Sequence, residues 1–310
     1  MENVLEIRNL SKSFKQYNVL NDINLTIKRG DIYGLIGKNG AGKTTLLKII
    51  TSLSKENKGT IQLFGSSNHS DFIHALQRTG SVIETPVAYD NLSAKQNLSY
   101  YAKLRGVIDE KDIDDTLELV DLADVGKKKF KHFSLGMKQK LGIAIALLSK
   151  PDFLILDEPI NGLDPIAIVE FRELLKKLNT ELNITILISS HILTELYHVA
   201  NRFGILNNGT LVEEITKDEF EKMSQTMINI QVNNTDKLIP ILHNQLIHDF
   251  KVVSASEINI YEPNIEISEL LPILVNEGII INGIYKTGMD LENHFKELVD
   301  GTTSHTKEGK

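Results

Sequence analysis

A glycine-rich stretch that ends in a lysine and a threonine begins at Gly37 and reads GKNGAGKT, which fits the pattern G-x-x-x-x-G-K-[ST]. Glycines permit a backbone whose N–H groups converge on an anion, and a helix that starts there adds its positive N-terminal end. In such a loop Lys43 would bridge the terminal phosphates of a nucleotide, and the Thr44 hydroxyl would ligate Mg²⁺. The pattern therefore predicts a phosphate-binding loop. Its expected nucleotide contacts are Gly37, Lys38, Asn39, Gly40, Ala41, Gly42, Lys43, Thr44 and Thr45.

Two carboxylates, Asp157 and Glu158, follow four apolar residues in FLILDE. A buried strand would place them at its carboxyl end, which is where ligands bind in open α/β sheets. Asp157 is expected to hold Mg²⁺ through water, which leaves Glu158 to polarise the attacking water as a general base. An acid pair at a strand end is by itself more often a cap or a salt bridge, and the phosphate-binding loop is what favours the catalytic interpretation.

A histidine, His191, ends another apolar segment, ITILISSH. A lone histidine is usually structural, but an imidazole at that strand end could donate a hydrogen bond to the γ-phosphate of a bound nucleotide. Together with Lys43 and Glu158, it forms the set of residues that we expect to be catalytic in nucleotide hydrolysis.

Strands and helices must bring these residues together. Alternating apolar residues in LEIRNL and LNDINLTI predict a small antiparallel sheet. DIYGLIG, FLILDE and ITILISSH are apolar on both faces, as buried parallel strands are. Helices are predicted at LLKIITSL, directly after the phosphate-binding loop, and around residues 168–178. This alternation of strands and helices predicts an α/β P-loop NTPase core.

The rest of the chain has different patterns. Residues 92–150 have helical spacing, and we expect a helical subdomain over about 86–150 within a first domain of residues 1–213. The polar stretch TKDEFEKMSQ predicts a linker over 214–226. Strands and helices in the order βαββαβ then predict a small α+β domain over 227–310, with another helix at 291–299 and a polar tail from about 301.

Composition limits the function classes. The net charge of −7 over 310 residues argues against a general nucleic-acid binder, because affinity for phosphates needs a basic face. The basic stretch GKKKFKH at 126–132 is either a contact surface or a solvated loop. Because the chain has no cysteine, disulfides and thiolate chemistry are excluded. Neither a signal peptide nor an apolar run of the ~18 residues that a membrane helix needs is predicted.

Five motifs, GKNGAGKTT, FSLGMKQ, LILDEP, NGLDP and SSH, occur in the order and approximate spacing of the ATP-binding subunits of ABC transporters. The resemblance covers residues 5 to about 211. It implies an ABC-type nucleotide-binding domain that has a mixed sheet core, a small antiparallel β subdomain and a helical insert. It also implies ATP and Mg²⁺ as cofactors, and a homodimer in which two ATP molecules lie between two subunits.

The resemblance gives FSLGMKQK a role, because the family's signature, usually written LSGGQ, occupies this position. Ser134 can cap the helix that follows, and Gly136 lets backbone N–H groups approach a phosphate closely. The resemblance implies that Ser134 and Gly136 face the ATP of the partner subunit, and that Asp164 in NGLDP links the two sites. Leu135 and Met137 differ from the family's usual Gly and Gln.

Two other positions follow from the resemblance. Phe14 aligns with the aromatic residue that stacks on adenine, although Tyr17 is close enough to compete for that role. Because such stacking accepts any planar base, we expect weak selection for ATP over GTP. Glu84 stands where most relatives have Gln, and its carboxylate is expected to ligate Mg²⁺ or the attacking water.

Glu84, the SLGMKQ form of the signature and the C-terminal LENHFKELV resemble one subgroup, the ATP-binding subunits of bacitracin-resistance and lantibiotic-immunity exporters. This implies an ATPase in the cytoplasm, held at the inner membrane face by a permease, that powers export of a membrane-active peptide and so gives resistance or immunity. The rival hypotheses are a soluble ABC-type ATPase that acts on ribosomes or DNA, and a phosphate-loop kinase. The kinase would leave FSLGMKQK unexplained, and the soluble class would need a second cassette or a long coiled coil.

Overall fold

The computed structural model describes residues 2–67, 69–106, 109–223, 227–245, 247–262 and 265–287. The chain divides into two compact units, Met1–Lys217 and Asp218–Lys310. The strands of the first unit are β1 (Asn3–Phe14), β2 (Tyr17–Lys28), β3 (Ile32–Ile36), β4 (Lys58–Leu63), β5 (Thr79–Val82), β6 (Phe153–Asp157), β7 (Thr185–Ser190), β8 (Arg202–Asn207) and β9 (Thr210–Thr216). Its helices are α1 (Lys43–Ile50), α2 (His69–Gln77), α3 (Ala94–Leu104), α4 (Glu110–Leu119), α5 (Leu135–Leu147), α6 (Pro165–Thr180) and α7 (Leu193–Tyr197).

The N-terminal strands form the predicted antiparallel sheet, in the order β2-β1-β4. Its pairs Ile7 with Leu25 and Leu10 with Ile23 are buried, whereas Glu6 pairs with Thr26 on the other face. On β2 this is the period of two that the sequence shows, because successive side chains of a strand point to opposite faces, whereas β1 shifts its register between Ile7 and Leu10. The hairpin between β1 and β2 turns after Phe14, which pairs with Tyr17.

The second sheet is mixed and has the order β5-β6-β7-β3-β8-β9, with parallel neighbours from β5 to β8 and an antiparallel β9 at the edge. Strands β3, β6 and β7 are buried along their whole length. One face of this sheet packs on α1 and the antiparallel sheet. Because β6, β7 and β3 are neighbours and parallel, their carboxyl ends meet at one edge.

Helices occupy most of the region between β5 and β6, as the sequence predicted for about 86–150. Helix α3 begins with a capping box in which Ser93 and Gln96 each bind the other's backbone N–H. Helix α5 is buried on all sides from Gln139 to Leu147, so its apolar residues show no single stripe. Ser134 caps this helix, as predicted.

The second unit contains α8 (Lys217–Met223), which starts at the unit boundary, followed by the βαββαβ order that the sequence predicted. These elements are β10 (Met227–Val232), α9 (Thr235–Asn244), β11 (Phe250–Ser254), β12 (Glu257–Ile260), α10 (Ile267–Asn276) and β13 (Ile281–Thr287). The sheet order is β11-β12-β10-β13, with antiparallel neighbours. This is the arrangement of a split βαβ module.

Polar composition predicted a linker over 214–226, and the boundary between the two units, at Lys217 and Asp218, lies within it. Strand β9 continues to Thr216, and α8 follows immediately. Phe220 of α8 is buried, although the composition of this segment is mostly polar. The predicted helix at 291–299 and the polar tail lie outside the described residues. Within the part of the chain that the structure describes, no helix combines the length and apolarity that a membrane crossing requires.

Candidate functional site

The phosphate-binding loop joins β3 to α1 and depends on its glycines for conformation and space. Gly40 and Gly42 have φ of +84° and +110°, a left-handed region that side chains disfavour. A Cβ on Gly42 would also lie 2.8 Å from Leu20 Cδ2 of β2, and one on Gly37 would lie 2.5 Å from the Leu206 carbonyl oxygen. The loop therefore packs directly on neighbouring strands, and it exposes Lys38, Asn39 and Gly40 on its outer side.

Lys43 is a buried lysine in the first turn of α1, where Thr44 and Thr45 follow half-buried. Its Nζ donates to the Gly37 carbonyl oxygen over 2.6 Å and to the Lys38 carbonyl oxygen over 3.2 Å. It also lies 3.1 Å from Glu158 Oε1. The Lys43 ammonium therefore links the end of the loop to its beginning and also contacts Glu158, which follows β6.

Glu158 follows the last residue of β6 with a left-handed φ of 49°. Its Oε2 lies 2.8 Å from His191 Nδ1 at the end of β7, and its Oε1 contacts Lys43. The structure thus brings the three predicted catalytic residues into one cluster. The sequence predicted that His191 would contact a phosphate, whereas the contact observed here is with the predicted general base.

Asp157 is buried at the end of β6 and accepts a hydrogen bond from the Ser189 hydroxyl over 2.7 Å. Ser189 is a site residue that the sequence analysis did not single out. A signal was available, because two serines precede His191 directly after the apolar residues 186–188. Which of the two faces Asp157 depends on the register between β6 and β7.

A magnesium ion fits these groups chemically. Mg²⁺ prefers oxygen ligands and keeps several waters and substrate phosphates, so it needs few groups from the protein. The Thr44 hydroxyl and the Asp157 carboxylate supply oxygen ligands of that kind. Accordingly, the described residues contain no group of three or more acids or histidines that could hold a metal by themselves.

Glu84 is placed differently from the other predicted metal ligands. Its carboxylate is 62% exposed and lies 2.6 Å from Lys48 Nζ, on the last turn of α1. Among the described residues, no hydrogen bond or ion pair joins Glu84 to Thr44 or Asp157. Its backbone has a left-handed φ of 64°. The structure therefore assigns its charge to an exposed ion pair beside α1.

The two candidate adenine-stacking residues lie at the tip of the first hairpin. Phe14 and Tyr17 are paired there, with 50% and 80% of their surfaces exposed. Lys12 Nζ lies 4.7 Å from the centre of the Phe14 ring. Leu20 of β2 packs against Gly42 of the phosphate-binding loop, and the two rings lie closer to the tip of the same hairpin than Leu20 does. This geometry leaves both residues available for stacking.

The residues expected to act on the partner's ATP form a second, exposed surface. The Ser134 hydroxyl accepts from the Met137 N–H over 3.3 Å, and Asp164 Oδ1 accepts from the Ile166 and Ala167 N–H groups. Both side chains are therefore N-caps, of α5 and α6 respectively. We call residues 134–136 and 162–167 the turn surface.

The two segments of the turn surface pack on each other. A Cβ on Gly136 would lie 3.2 Å from Ala167 Cβ, and one on Gly162 would lie 3.2 Å from Leu135 Cδ2. Leu135, which differs from the family's usual glycine, thus covers Gly162. Among the described residues, no hydrogen bond or ion pair links Ser134 or Asp164 to Lys43 or Glu158.

Comparisons with known proteins identify the family of the chain. The sequence matches the family described as ABC transporter over residues 20–161. It is 41% identical to the bacitracin transport ATP-binding protein BcrA of Enterococcus faecalis, over 97% of this chain and 98% of that protein. It is 43% identical to the lantibiotic transport ATP-binding protein SrtF of Streptococcus pyogenes, over 73% of this chain and 96% of that protein. Among solved structures, cbiO1 of Clostridium perfringens, part of the ABC transporter complex cbiONQ, has a TM-score of 0.65 at 25% identity, covering 72% of this chain and 92% of its own.

Proposed function

Since the chain belongs to the ABC transporter family and is an ATP-binding ATPase, as its sequence predicted, we propose that it powers export of a membrane-active peptide antibiotic through a separate permease. The observation that supports this substrate class is the similarity to BcrA, which extends over 97% of this chain and therefore over both units. Export of such a peptide would give the cell resistance or self-immunity. The protein would work in the cytoplasm, held at the inner face of the membrane by the permease.

The observation that supports the hydrolytic roles is the position of the Glu158 carboxylate between Lys43 and His191. Lys43 is buried and its ammonium contacts Glu158 Oε1. A triphosphate in the loop would offer that ammonium a more highly charged partner, which would free Oε1 to accept a proton from the attacking water. His191 would keep the carboxylate oriented by donating its Nδ1–H to Oε2, and in its protonated form it would also donate Nε2–H to the γ-phosphate. Glu158 is thus the general base, and Lys43 and His191 are its catalytic partners.

Magnesium would be held by the Thr44 hydroxyl, by Asp157 through water and by Glu84, together with the nucleotide phosphates. When bound, it would neutralise charge that develops on the phosphates during hydrolysis. For Glu84 to contribute, its carboxylate must leave Lys48, and this step costs little because exposed ion pairs are weak.

A homodimer would complete each ATP site. The phosphate-binding loop, Asp157 and Glu158 form one half of a site within a single chain. The turn surface exposes Ser134 and Asp164, with Gly136 half-buried beside them, which suits the other half of a site in a partner copy. Phe14, or Tyr17, would stack on the base of the ATP bound in its own chain.

A permease would contact the exposed surface that follows Glu84. Val87, Tyr89 and Tyr100 are large exposed apolar or aromatic side chains there, and the rings of Tyr89 and Tyr100 are 4.7 Å apart. Clustered exposed aromatic residues are typical of surfaces that bind other proteins. This surface lies at the start of the helical subdomain, so a permease bound to it could sense the movement of α3.

The proposal is tested by expressing the chain, with the permease encoded beside it, in a sensitive strain. We expect the inhibitory concentration of bacitracin or of a lantibiotic to rise, and Glu158→Gln to abolish the rise. Affinity purification should recover an integral membrane protein with the chain. Recovery of ribosomes or DNA instead, without any protection of the cells, would support the hypothesis of a soluble ATPase and refute the hypothesis of an exporter.

A further inference from the structure

Ser189 is a fully buried serine near the carboxyl end of β7, directly opposite Asp157 in the register between β6 and β7. Its hydroxyl lies 2.7 Å from Asp157 Oδ1 and 2.9 Å from the backbone nitrogen of Glu158. We propose that Ser189 is a positioning residue for ATP hydrolysis, whose single hydroxyl fixes both the metal-binding carboxylate and the backbone of the general base. The proposal rests on the roles proposed above for Asp157 and Glu158.

The chemistry of a hydroxyl sets the direction of both hydrogen bonds. The Glu158 N–H can only donate, so the Ser189 oxygen accepts from it. A carboxylate only accepts, so the one proton of the hydroxyl goes to Asp157. Rotation of the Ser189 side chain would break both bonds at once. The position of this oxygen is therefore fixed from two sides.

The backbone of Glu158 needs such a partner. Its φ of 49° lies in the left-handed region, which residues other than glycine rarely adopt unless their surroundings hold them there. Ser189 holds the N–H of this residue, while Lys43 and His191 hold its side chain. Without the Ser189 hydroxyl, the Glu158 N–H would lose this acceptor, and the backbone would relax in a way that moves the Glu158 carboxylate.

Asp157 depends on Ser189 for its orientation. Its side chain is buried, and Oδ1 is occupied by the Ser189 proton, which leaves Oδ2 for a water of the magnesium ion. Loss of the donor would allow the carboxylate to rotate. The glycine N–H groups that bind the phosphates belong to a different segment, between β3 and α1. Loss of the Ser189 hydroxyl should therefore affect turnover and metal binding more than nucleotide binding.

The experiment compares Ser189→Ala with the parent protein. We expect turnover to fall about tenfold, equivalent to ~1.4 kcal/mol in the barrier, with ADP affinity within about threefold of the parent. Electron paramagnetic resonance of Mn²⁺ added to the ADP complex should show weaker metal binding, a readout independent of turnover. Ser189→Thr keeps the hydroxyl and should recover most of both properties.

Thr185→Val is the matched control, because Thr185 is fully buried on the same strand and its hydroxyl accepts from the Gly30 N–H, at the opposite end of β7. It should lower the melting temperature without changing turnover or Mn²⁺ binding. If Ser189→Ala behaves like Thr185→Val, the role of Ser189 is structural only and the proposal is overturned.

Should Ser189→Ala fail to fold, Ser189→Cys preserves the volume with a much weaker donor, and parental turnover in that variant would equally overturn the proposal. A parent protein that hydrolyses no ATP would instead refute the proposed function, so the two failures are distinguishable.

Discussion

The hydrolytic cluster and the turn surface are held in place in opposite ways. Lys43, Glu158 and His191 follow three different strands, and Glu158 contacts both of the others inside the chain. Ser134 and Asp164 instead accept hydrogen bonds from backbone N–H groups no more than three residues away, and they remain exposed. The first region depends on the order of strands in a sheet, and the second depends on local capping.

Because the two regions are stabilised differently, substitutions should be able to inactivate one proposed half of an ATP site without disturbing the other. A change in the cluster alters contacts between distant segments, because each side chain there is held by another. A change in the turn surface removes a cap, which is usually worth about 1 kcal/mol, and changes the outward face. We therefore expect cluster variants to affect chemistry and turn-surface variants to affect association.

Glu158→Gln is expected to have the largest effect and tests the chemical role of the cluster. An amide cannot accept the proton of the attacking water, so ATPase turnover should fall by roughly 1,000-fold. Since the loop is intact, ATP should still bind, and the ATP-bound dimer should accumulate in size-exclusion chromatography.

The matched control for this prediction is Glu173→Gln on α6, which removes an equivalent charge from an exposed pair with Lys176. Its turnover should equal that of the parent. Parental turnover in Glu158→Gln itself would show that the general base is misassigned.

Ser134→Arg is expected to have the next largest effect and tests the turn surface. Turnover should fall roughly 100-fold, because a bulky cation replaces a group that we propose to face the partner's phosphate at closure. ATP binding to the monomer, measured with a fluorescent nucleotide, should stay near the parental value, while the ATP-driven dimer is lost.

Asp109→Arg provides the control, since Asp109 is the exposed N-cap of α4 and its replacement removes a similar capping hydrogen bond. We expect it to dimerise normally. If Ser134→Arg abolishes nucleotide binding to the monomer, the contrast between the two regions is incorrect and the turn is only structural.

His191→Ala should have a smaller effect, because the general base is retained and Ser189 still holds the backbone N–H of Glu158. A loss of about tenfold in turnover corresponds to ~1.4 kcal/mol, in the range expected when one of two orienting contacts is removed. His198→Ala is the control, since His198 is exposed and contacts the Tyr197 ring. Equal turnover in the two variants would mean that the contact between His191 and Glu158 has no role in hydrolysis.

Substitutions of Glu84 should have the smallest effect on turnover, and they test whether this residue belongs to the hydrolytic site. We expect Glu84→Gln and Glu84→Ala to change turnover by about threefold and to raise the Mg²⁺ concentration needed for half-maximal activity. Lys48→Gln removes the ion pair but keeps the Glu84 carboxylate. Exposed pairs contribute at most about 1 kcal/mol and are screened by salt, so this variant should differ little in stability. Parental activity in both Glu84 variants would place this residue outside the site.

Much of the architecture followed from local patterns. The strands that bear the site are short apolar runs between turns, and the loop pattern G-x-x-x-x-G-K-[ST] lies between such a strand and a helix. Strand and helix patterns in the sequence likewise predicted the βαββαβ order of the second unit. The boundary between the two units lies within the linker predicted over 214–226, but polar composition did not reveal that α8 lies there and buries Phe220.

Residue types and spacings within one turn or loop are local properties, so the amino-acid sequence was enough to identify residues with the chemistry for nucleotide hydrolysis. The folded structure was needed to show that Glu158 lies between Lys43 and His191, that Ser189 faces Asp157, that Leu135 covers Gly162 and that Glu84 pairs with Lys48. These contacts join segments that are far apart in the chain. They are fixed by strand order, register and helix packing, which depend on how all the apolar surfaces are buried together.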